Sequence, residues 1–219
     1  MEGFKKSVAR EYFESLVIAV ILALFIRTFV VQAFKIPTGS MEQNLLIGDH
    51  LLVNKFVFGP AQSDLERTLL PMKEIARLDV IVFKYPEEPE RDFIKRVIGL
   101  PGDRIEVRRK RVFVNGERLD EPYVHYMEEP PPLPEDLAPD DVPVPGGDPR
   151  ESYGPVTVPP NYYFVMGDNR DNSQDSRYWG FLPRDYVKGR ALIIYWSYDG
   201  ESGNILTGTR WSRLLHQVR

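Results

Sequence analysis

Apolar residues near the N-terminus form one continuous run, and those in the rest of the chain do not. Residues 16–26 carry no charge, and Arg27 follows them directly. A helix needs about 20 apolar residues to cross a bilayer core, and counting from Tyr12 with Arg27 snorkelling to the interface approaches that length. The pattern predicts a cytoplasmic N-terminus over residues 1–11 and one transmembrane helix over residues 12–28.

Two other interpretations of this run stay open. Lys5, Lys6 and Arg10 have the character of the basic start of a secretory signal peptide, and Val31-Gln32-Ala33 is a passable cleavage site. Arg27 is out of place in the apolar region of such a peptide. A helix buried in a protein core is the third possibility.

Beyond residue 28 the pattern changes to short segments rich in Val, Ile, Tyr and Phe, separated by Gly, Pro and Asp turns. A helix is expected only at residues 65–77. Together these patterns predict an all-β domain of antiparallel sheets over residues 29–219. The predicted strands are residues 51–58, 79–85, 92–98, 104–107, 111–114, 162–166 and 190–198.

Residues 128–150 interrupt this β pattern. They hold eight of the 19 prolines and seven acidic residues against one arginine. Such a composition buries too little apolar surface to offset the entropy of ordering, so we expect an acidic, proline-rich surface insertion. A recognition arm for a basic partner is the alternative.

Charge and composition exclude two classes of function. The net charge is −4 with both signs mixed, and the only dense basic run, residues 108–111, is expected on the solvated face of a hairpin that turns at Asn115-Gly116. We therefore expect no nucleic-acid partner. The chain has no cysteine, which excludes a thiol nucleophile, and only three histidines.

Ser40 and Lys95 are the candidates for catalytic chemistry. Ser40 follows Pro37 and Gly39 in a predicted turn, and Lys95 lies in a predicted strand between apolar neighbours. A serine hydroxyl needs a base, and lysine is a base only when neutral, which holds for about one molecule in 2,500 at pH 7. Alternation along the strand places Lys95 on the face of Phe93 and Val97, where burial would lower its pKa.

A third region of interest, after those around Ser40 and Lys95, is rich in acidic and polar residues and has no apolar periodicity, so we expect it to form a loop. It reads Gly167-Asp168-Asn169-Arg170-Asp171-Asn172-Ser173-Gln174-Asp175-Ser176-Arg177-Tyr178-Trp179-Gly180. With these three regions in this order after an apolar run, the chain closely resembles bacterial type I signal peptidases. The resemblance extends from about Arg27 to Tyr198, apart from the acidic insertion.

The resemblance implies a Ser/Lys dyad of Ser40 as nucleophile and Lys95 as general base. It implies an oxyanion hole formed by Thr38 and the Ser40 backbone N–H. It also implies that Ser173 hydrogen-bonds Lys95. The remaining supporting residues that it implies are an ion pair of Asp175 with Arg177, and Asp168 and Arg170.

The resemblance also implies the substrate and the location. The substrates would be preproteins with Ala-x-Ala cleavage sites, and the enzyme a monomer without metal or cofactor. It would be held by a retained anchor in the bacterial cytoplasmic membrane, with the catalytic domain in contact with the bilayer on the outer side. The implied substrate-binding residues are Ile36, Pro37, Met41, Leu45 and Phe93 for one pocket, and Phe34 with Ile94 for a second.

Two departures from the family pattern concern the turn after the nucleophile and a more distant turn. Gln43 and Asn44 replace the usual Pro and Thr or Ser, and Leu78 replaces a common Gly. Gln43 also excludes the Ser-x-x-Lys motif of penicillin-binding proteins.

Three rival interpretations remain. A self-cleaving repressor of the LexA type would need a DNA-binding domain and a cytosolic chain. A membrane-tethered binding module without activity would present the acidic segment. A calcium loop at Asp168, Asp171 and Asp175 lacks EF-hand spacing.

Overall fold

The computed structural model describes residues 8–55, 74–130, 147–200 and 204–218. The N-terminal run forms helix α1, Val8–Phe25, and continues into a π-helical turn, Ile26–Val30. No side chain of α1 is buried. Within the described residues, no helix combines the length and the apolar character that a membrane span requires. The predicted span over residues 12–28 is thus not found as such, since α1 carries Arg10, Glu11 and Glu14 among its 18 residues.

The rest of the described chain is mostly β, as predicted, and every pairing between its strands is antiparallel. Two short helices interrupt the strands: α2, Ser176–Trp179, and α3, Ile205–Gly208. The strands are β1 Val31–Lys35, β2 Asp49–Asn54, β3 Val80–Lys84, β4 Asp92–Gly99, β5 Arg104–Arg108, β6 Arg111–Val114, β7 Glu117–Arg118, β8 Ser152–Thr157, β9 Tyr162–Met166, β10 Leu182–Pro183, β11 Val187–Ser197 and β12 His216–Gln217.

The strands form two sheets. The larger sheet has the order β1-β2-β11-β3-β4-β9-β10, with β12 paired to β11. The smaller sheet has the order β7-β6-β5-β8. Strand β4 is buried along most of its length, and its side chains enter three apolar clusters. Ile94 lies in the first with Met41, Val97 in the second with Phe83, and Ile98 in the third with Phe164. Ile94 and Ile98 lie on one face of the strand and Val97 on the other, as predicted.

The predicted turn at Asn115-Gly116 joins β6 to β7. Both residues have positive φ, 54° and 88°, which is the backbone of a type I′ hairpin turn. The expectation that residues 108–111 are solvated is wrong for Arg108, which is 2% exposed. Its guanidinium is buried because it forms an ion pair with Glu106 in the same strand.

Two predicted regions lie largely outside the described residues. Of the helix predicted at residues 65–77, only the end is described, and residues 74–77 are not helical. Of the insertion predicted at residues 128–150, residues 128–130 and 147–150 are described and contain no strand or helix.

Candidate active site

A single helical turn presents Ser40. Thr38 is extended (φ −133°, ψ 155°), and Gly39–Met41 then form a 3₁₀ turn whose side chains at Ser40 and Met41 are buried. The Thr38 hydroxyl does not cap this turn. Backbone N–H groups at the start of a helical turn have no partner within the turn, so the Ser40 N–H is suited to bind an oxyanion.

The Lys95 amine lies against the Ser40 hydroxyl. Lys95 Nζ is 2.7 Å from Ser40 Oγ and 2.9 Å from the Ile94 carbonyl oxygen, and both contacts are buried. The Lys95 residue is 3% exposed and the Ser40 residue 8%. The amine also lies 5.2 Å from the centroid of the Phe93 ring. The two residues are 55 positions apart in sequence, and the fold brings them into direct contact.

Burial is the main cause of a lowered Lys95 pKa, from 10.5 to about 8. The charges of Asp175 and Asp168 oppose this shift, and that of Arg177 adds to it. With a pKa of about 8, roughly one molecule in ten carries the neutral amine at pH 7. The neutral Lys95 amine can therefore accept the proton of the Ser40 hydroxyl, and no histidine is needed.

A cavity of about 460 Å³ opens beside the dyad. It is a groove between the turn that carries Ser40 and the start of β4, and residues of the polar loop close one side. Its lining residues are Pro37, Thr38, Gly39, Ser40, Arg91, Asp92, Phe93, Ile94, Lys95, Asn172 and Gln174.

Three of the seven predicted substrate-binding residues, Pro37, Phe93 and Ile94, line this cavity. The others lie in or against the first apolar cluster: Ile36, Met41 and Leu45 are at most 2% exposed, and Phe34 is partly buried against them. The three buried side chains lie beneath the cavity and do not line it, and their part in substrate binding stays a prediction.

Asp175 and Arg177 form the predicted ion pair. Arg177 Nε is 2.8 Å from Asp175 Oδ1, and Nη2 is 2.8 Å from Oδ2. Burial alone would raise the pKa of Asp175, but Arg177 and the Gly167 N–H lower it overall. The Asp175 side chain also accepts from the Arg177 N–H and caps α2, so the segment predicted as loop ends in one helical turn.

The Asp168 carboxylate binds Arg96, the residue after Lys95. Arg96 Nε donates to Asp168 Oδ1 at 2.8 Å and Nη2 to Oδ2 at 2.6 Å, with both side chains at most 2% exposed. Asn44 Nδ2 also donates to Asp168 Oδ2, at 2.7 Å. The Asp168 side chain thus joins the strand that carries Lys95 to the segment that follows Ser40. Arg170 pairs separately with Glu121.

Ser173 does not form the predicted hydrogen bond to Lys95. Its hydroxyl is buried and has no hydrogen-bond partner among the described residues. It lies against Gly167, where a Cβ atom would be 2.2 Å from Ser173 Oγ. The Lys95 amine is instead oriented by Ser40 Oγ and the Ile94 carbonyl.

Gly167 permits the close approach of the polar loop to the nucleophile. A Cβ atom at this position would lie 2.5 Å from the Ser40 carbonyl oxygen and 2.2 Å from Ser173 Oγ. Asn169 then binds the same turn, because its N–H donates to the Ser40 carbonyl at 3.1 Å and its Nδ2 to the Gly39 carbonyl at 3.2 Å. The position of Ser40 is thus fixed from the loop side.

The sequence analysis missed the segment from Glu121 to Met127, which packs along the polar loop. His125 N–H donates to the Asp168 carbonyl, and the Arg170 N–H donates to the His125 carbonyl. The Tyr123 carbonyl accepts from Asn44 Nδ2 at 2.8 Å. Nothing in the composition of this segment marks these roles. The need for a partner of Arg96 could have been predicted from the sequence, because a charged residue in a buried strand requires a counter-charge.

A calcium site does not fit the acidic side chains of the loop. Asp168 binds Arg96, Asp171 binds Lys110, and Asp175 binds Arg177. No group of three or more metal-ligating side chains is found in the described part of the chain.

Comparison with known proteins gives consistent matches over most of the chain. The sequence model of the family described as "Signal peptidase, peptidase S26" matches residues 9–196. A signal peptidase I of Pseudomonas aeruginosa is 37% identical over 225 residues, which cover 92% of this chain and 78% of that protein. One of Aquifex aeolicus is 36% identical over 246 residues, with 92% and 91% covered.

Among solved structures, the crystal structure of a signal peptidase I from Enterococcus faecalis matches with a TM-score of 0.40 and 32% identity. The match covers 54% of this chain and 97% of that chain.

Proposed function

Because the chain belongs to the signal peptidase family, peptidase S26, we propose that it is a serine endopeptidase that removes N-terminal signal peptides from exported preproteins. The family match confirms the resemblance predicted from the three sequence segments, and it makes the chain a hydrolase. The observation that carries the proposal is the buried 2.7 Å contact between Lys95 Nζ and Ser40 Oγ.

In the proposed mechanism, Ser40 Oγ attacks the carbonyl carbon of the scissile peptide bond while its proton passes to the neutral Lys95 amine. The oxyanion that forms accepts hydrogen bonds from the Ser40 N–H and the Thr38 hydroxyl. The Lys95 ammonium then protonates the leaving amine, and an acyl-enzyme ester remains on Ser40. Lys95 finally takes a proton from water, which attacks the ester carbonyl. The bond to Ser40 Oγ then breaks, Lys95 returns the proton to Ser40 Oγ, and the new C-terminus is released.

The cavity beside Ser40 supports a preference for small residues on the N-terminal side of the cleaved bond. Its apolar wall is formed by Pro37, Phe93 and Ile94, and the buried first cluster lies beneath it. The cluster cannot recede without disturbing the core, so a large substrate side chain would be excluded by steric overlap. An Ala-x-Ala site fits such a groove.

α1 alone does not meet the criteria for a membrane span, but the π-helical turn Ile26–Val30 continues it. We also propose that α1 and this turn together anchor the enzyme in the bacterial cytoplasmic membrane as a single pass, with the charged residues at the start of α1 at the interface and the catalytic domain outside. Large apolar side chains along α1 are exposed, for example Leu16 at 62%, Ile18 at 65% and Ile21 at 61%. A surface of this kind is stable only when it is covered. Carbonate extraction should leave the chain in the membrane, and protease added outside intact spheroplasts should digest its bulk; a soluble or protected domain would contradict the anchor or its orientation.

The central experiment incubates the detergent-solubilised full chain with a preprotein and maps the cleaved bond by mass spectrometry. We expect one cut after a small residue, and no cut by Ser40→Ala. A folded wild-type chain that leaves the preprotein intact would exclude the enzymatic function in favour of an inert binding module.

The oxyanion role of Thr38 gives a separate prediction. Thr38→Val removes the hydroxyl at nearly constant shape and should lower kcat by about 10²–10³, the usual loss for one oxyanion donor. Thr38→Ser keeps the hydroxyl and is the matched control, with near wild-type turnover expected on one Ala-x-Ala peptide. Equal turnover by the valine and serine variants would remove Thr38 from the oxyanion hole.

A further inference from the structure

A second cavity, of about 780 Å³, lies where α1 meets the larger sheet. It shares no lining residue with the cavity beside Ser40. Its wall combines apolar and basic side chains and contains no acidic residue. The lining residues are Ala23, Ile26, Arg27, Val31, Gln32, Ala33, Leu52 and Lys55.

Two cations face this cavity without a counter-charge. Within residues 8–55, 74–130, 147–200 and 204–218, neither Arg27 nor Lys55 forms an ion pair. Lys55 is held in place by its neighbours: its Nζ donates to the Thr28 carbonyl at 3.1 Å, and its N–H to the Val30 carbonyl at 3.0 Å. Two cationic side chains that line one cavity, one of them held by its neighbours, form a site for an anion.

The apolar part of the cavity is continuous with the exposed surface of α1. Ala23 belongs to α1 and Ile26 to the turn after it, and Ile26 is 40% exposed. Val31 of β1 and Leu52 of β2 form the opposite wall. An occupant that satisfies both parts carries an anionic group for the two cations and hydrocarbon for the apolar wall.

We propose that this cavity binds an anionic phospholipid, with its phosphate between Arg27 and Lys55 and its acyl chains along the apolar surface of α1. The proposal rests on the membrane anchoring proposed above, because the bilayer supplies the lipid. Charge complementarity selects an anionic headgroup, since a zwitterionic lipid would place a further cation beside two existing ones. The bound lipid would fix the angle at which the catalytic domain leaves the helix.

The test measures binding of a short-chain lipid to the full chain in uncharged detergent, by isothermal titration calorimetry. Dihexanoyl-phosphatidylglycerol, kept below its micelle concentration, should saturate one site. Dihexanoyl-phosphatidylcholine and inorganic phosphate should each bind at least about tenfold more weakly, because one lacks the net charge and the other the hydrocarbon. Equal binding of the two lipids would overturn the proposal, and equal binding of inorganic phosphate would reduce the cavity to an anion site without lipid.

Two double variants test whether the lipid binds in this cavity or elsewhere on the protein. Arg27→Gln/Lys55→Gln should weaken phosphatidylglycerol binding at least about tenfold. Lys35→Gln/Lys84→Gln removes the same charge from two exposed lysines outside the cavity and should bind as the wild type does. An equal loss in both double variants would indicate diffuse attraction and overturn the site.

Binding is measured on Ser40→Ala as well, so that a failure of the peptidase proposal would leave this result unchanged. Circular dichroism establishes folding of each variant, and the single variant Arg27→Gln serves if the double variant is unfolded.

Discussion

The two faces of strand β4 hold neighbouring cations in opposite electrostatic surroundings. On one face, Lys95 contacts a hydroxyl, a backbone carbonyl and the face of an aromatic ring. On the other, Arg96 is bound through two nitrogens by the carboxylate of Asp168. Both residues are at most 3% exposed. Burial is thus equal on the two faces, and what differs is the partner.

This difference separates the structural cation Arg96 from Lys95, the residue proposed as the general base. A guanidinium stays charged at any accessible pH, so its burial requires a carboxylate. A buried amine without a carboxylate in contact loses its proton more easily, and the Lys95 pKa is lowered to about 8. The two aspartates whose charges oppose this shift are each bound by an arginine, Asp168 by Arg96 and Asp175 by Arg177. Arginine pairing thus keeps nearby carboxylates from holding Lys95 in its charged form.

The largest expected effect is a loss of activity when Lys95 is replaced by another cation. Lys95→Arg keeps a long cationic side chain but cannot supply a neutral base, because guanidinium does not deprotonate in proteins. We expect kcat/KM on an Ala-x-Ala peptide to fall by roughly 10⁴ or more, to the level of Ser40→Ala, at every pH from 6 to 10. Substantial turnover by Lys95→Arg would show that Lys95 acts through its positive charge and would end the Ser/Lys mechanism.

The next largest effect is a loss of stability, expected on the face of β4 where Arg96 is paired with Asp168. Asp168→Asn removes the counter-charge and leaves the Arg96 guanidinium buried and uncompensated, which should lower the free energy of unfolding by about 3–5 kcal/mol. Urea unfolding in detergent measures the loss. Glu88→Gln is the control, because the Arg91–Glu88 pair has side chains 58% and 57% exposed and should contribute at most about 1 kcal/mol.

The same variant also tests the link between the faces. Burial lowers the pKa of Lys95 and the Asp168 charge raises it, so loss of that charge should lower it further. In Asp168→Asn that remains folded, the rising limb of kcat/KM against pH should therefore move to lower pH. An unmoved limb would mean that the Arg96 pairing already cancels the effect of Asp168 on the base.

The sequence predicted elements where local pattern and burial agree. Residues 162–166 and 111–114 form strands with the predicted bounds, because β-branched and aromatic side chains occupy consecutive buried positions there. Strand β8, Ser152–Thr157, was missed because it carries Gly154 and Pro155 and leaves no apolar alternation. Strand β1 was missed because it continues the apolar run, and because its pairing with β2 cannot be inferred from the residues of β1 themselves.

At the site, the sequence predicted that Ser40 and Lys95 lie together, but not all of the contacts around them. Lys95 and Ser40 are in contact as the family resemblance implied, and Asp175 binds Arg177 as expected. The partner of Asp168 lies 72 residues away on β4, and no spacing rule connects the two. The hydrogen bond assigned to Ser173 depends on the orientation of one hydroxyl, which packing determines.

The smallest expected change in stability comes from removing the Lys95 amine, which has no carboxylate partner. Lowering the Lys95 pKa from 10.5 to about 8 corresponds to a cost of about 3 kcal/mol for burying the charged form at pH 7. Two hydrogen bonds, to Ser40 Oγ and the Ile94 carbonyl, offset about 1 kcal/mol each. Lys95→Met should therefore abolish activity and raise the free energy of unfolding by about 1–2 kcal/mol at pH 7.

The pH dependence of this gain identifies its cause. Between about pH 8 and 10.5 the unfolded chain binds more protons at Lys95 than the folded chain, so wild-type stability rises with pH through that window. The methionine variant has no such proton, so its advantage should shrink above pH 8 and reverse near pH 10. Urea midpoints of both chains at pH 7 and pH 10 measure this, with Lys84→Met, at an exposed lysine of β3, as the control that should show no such change. A stability difference between Lys95→Met and wild type that is equal at both pH values would mean that the buried amine does not titrate in this range, and the contrast between the two faces of β4 would then lie in packing rather than in charge.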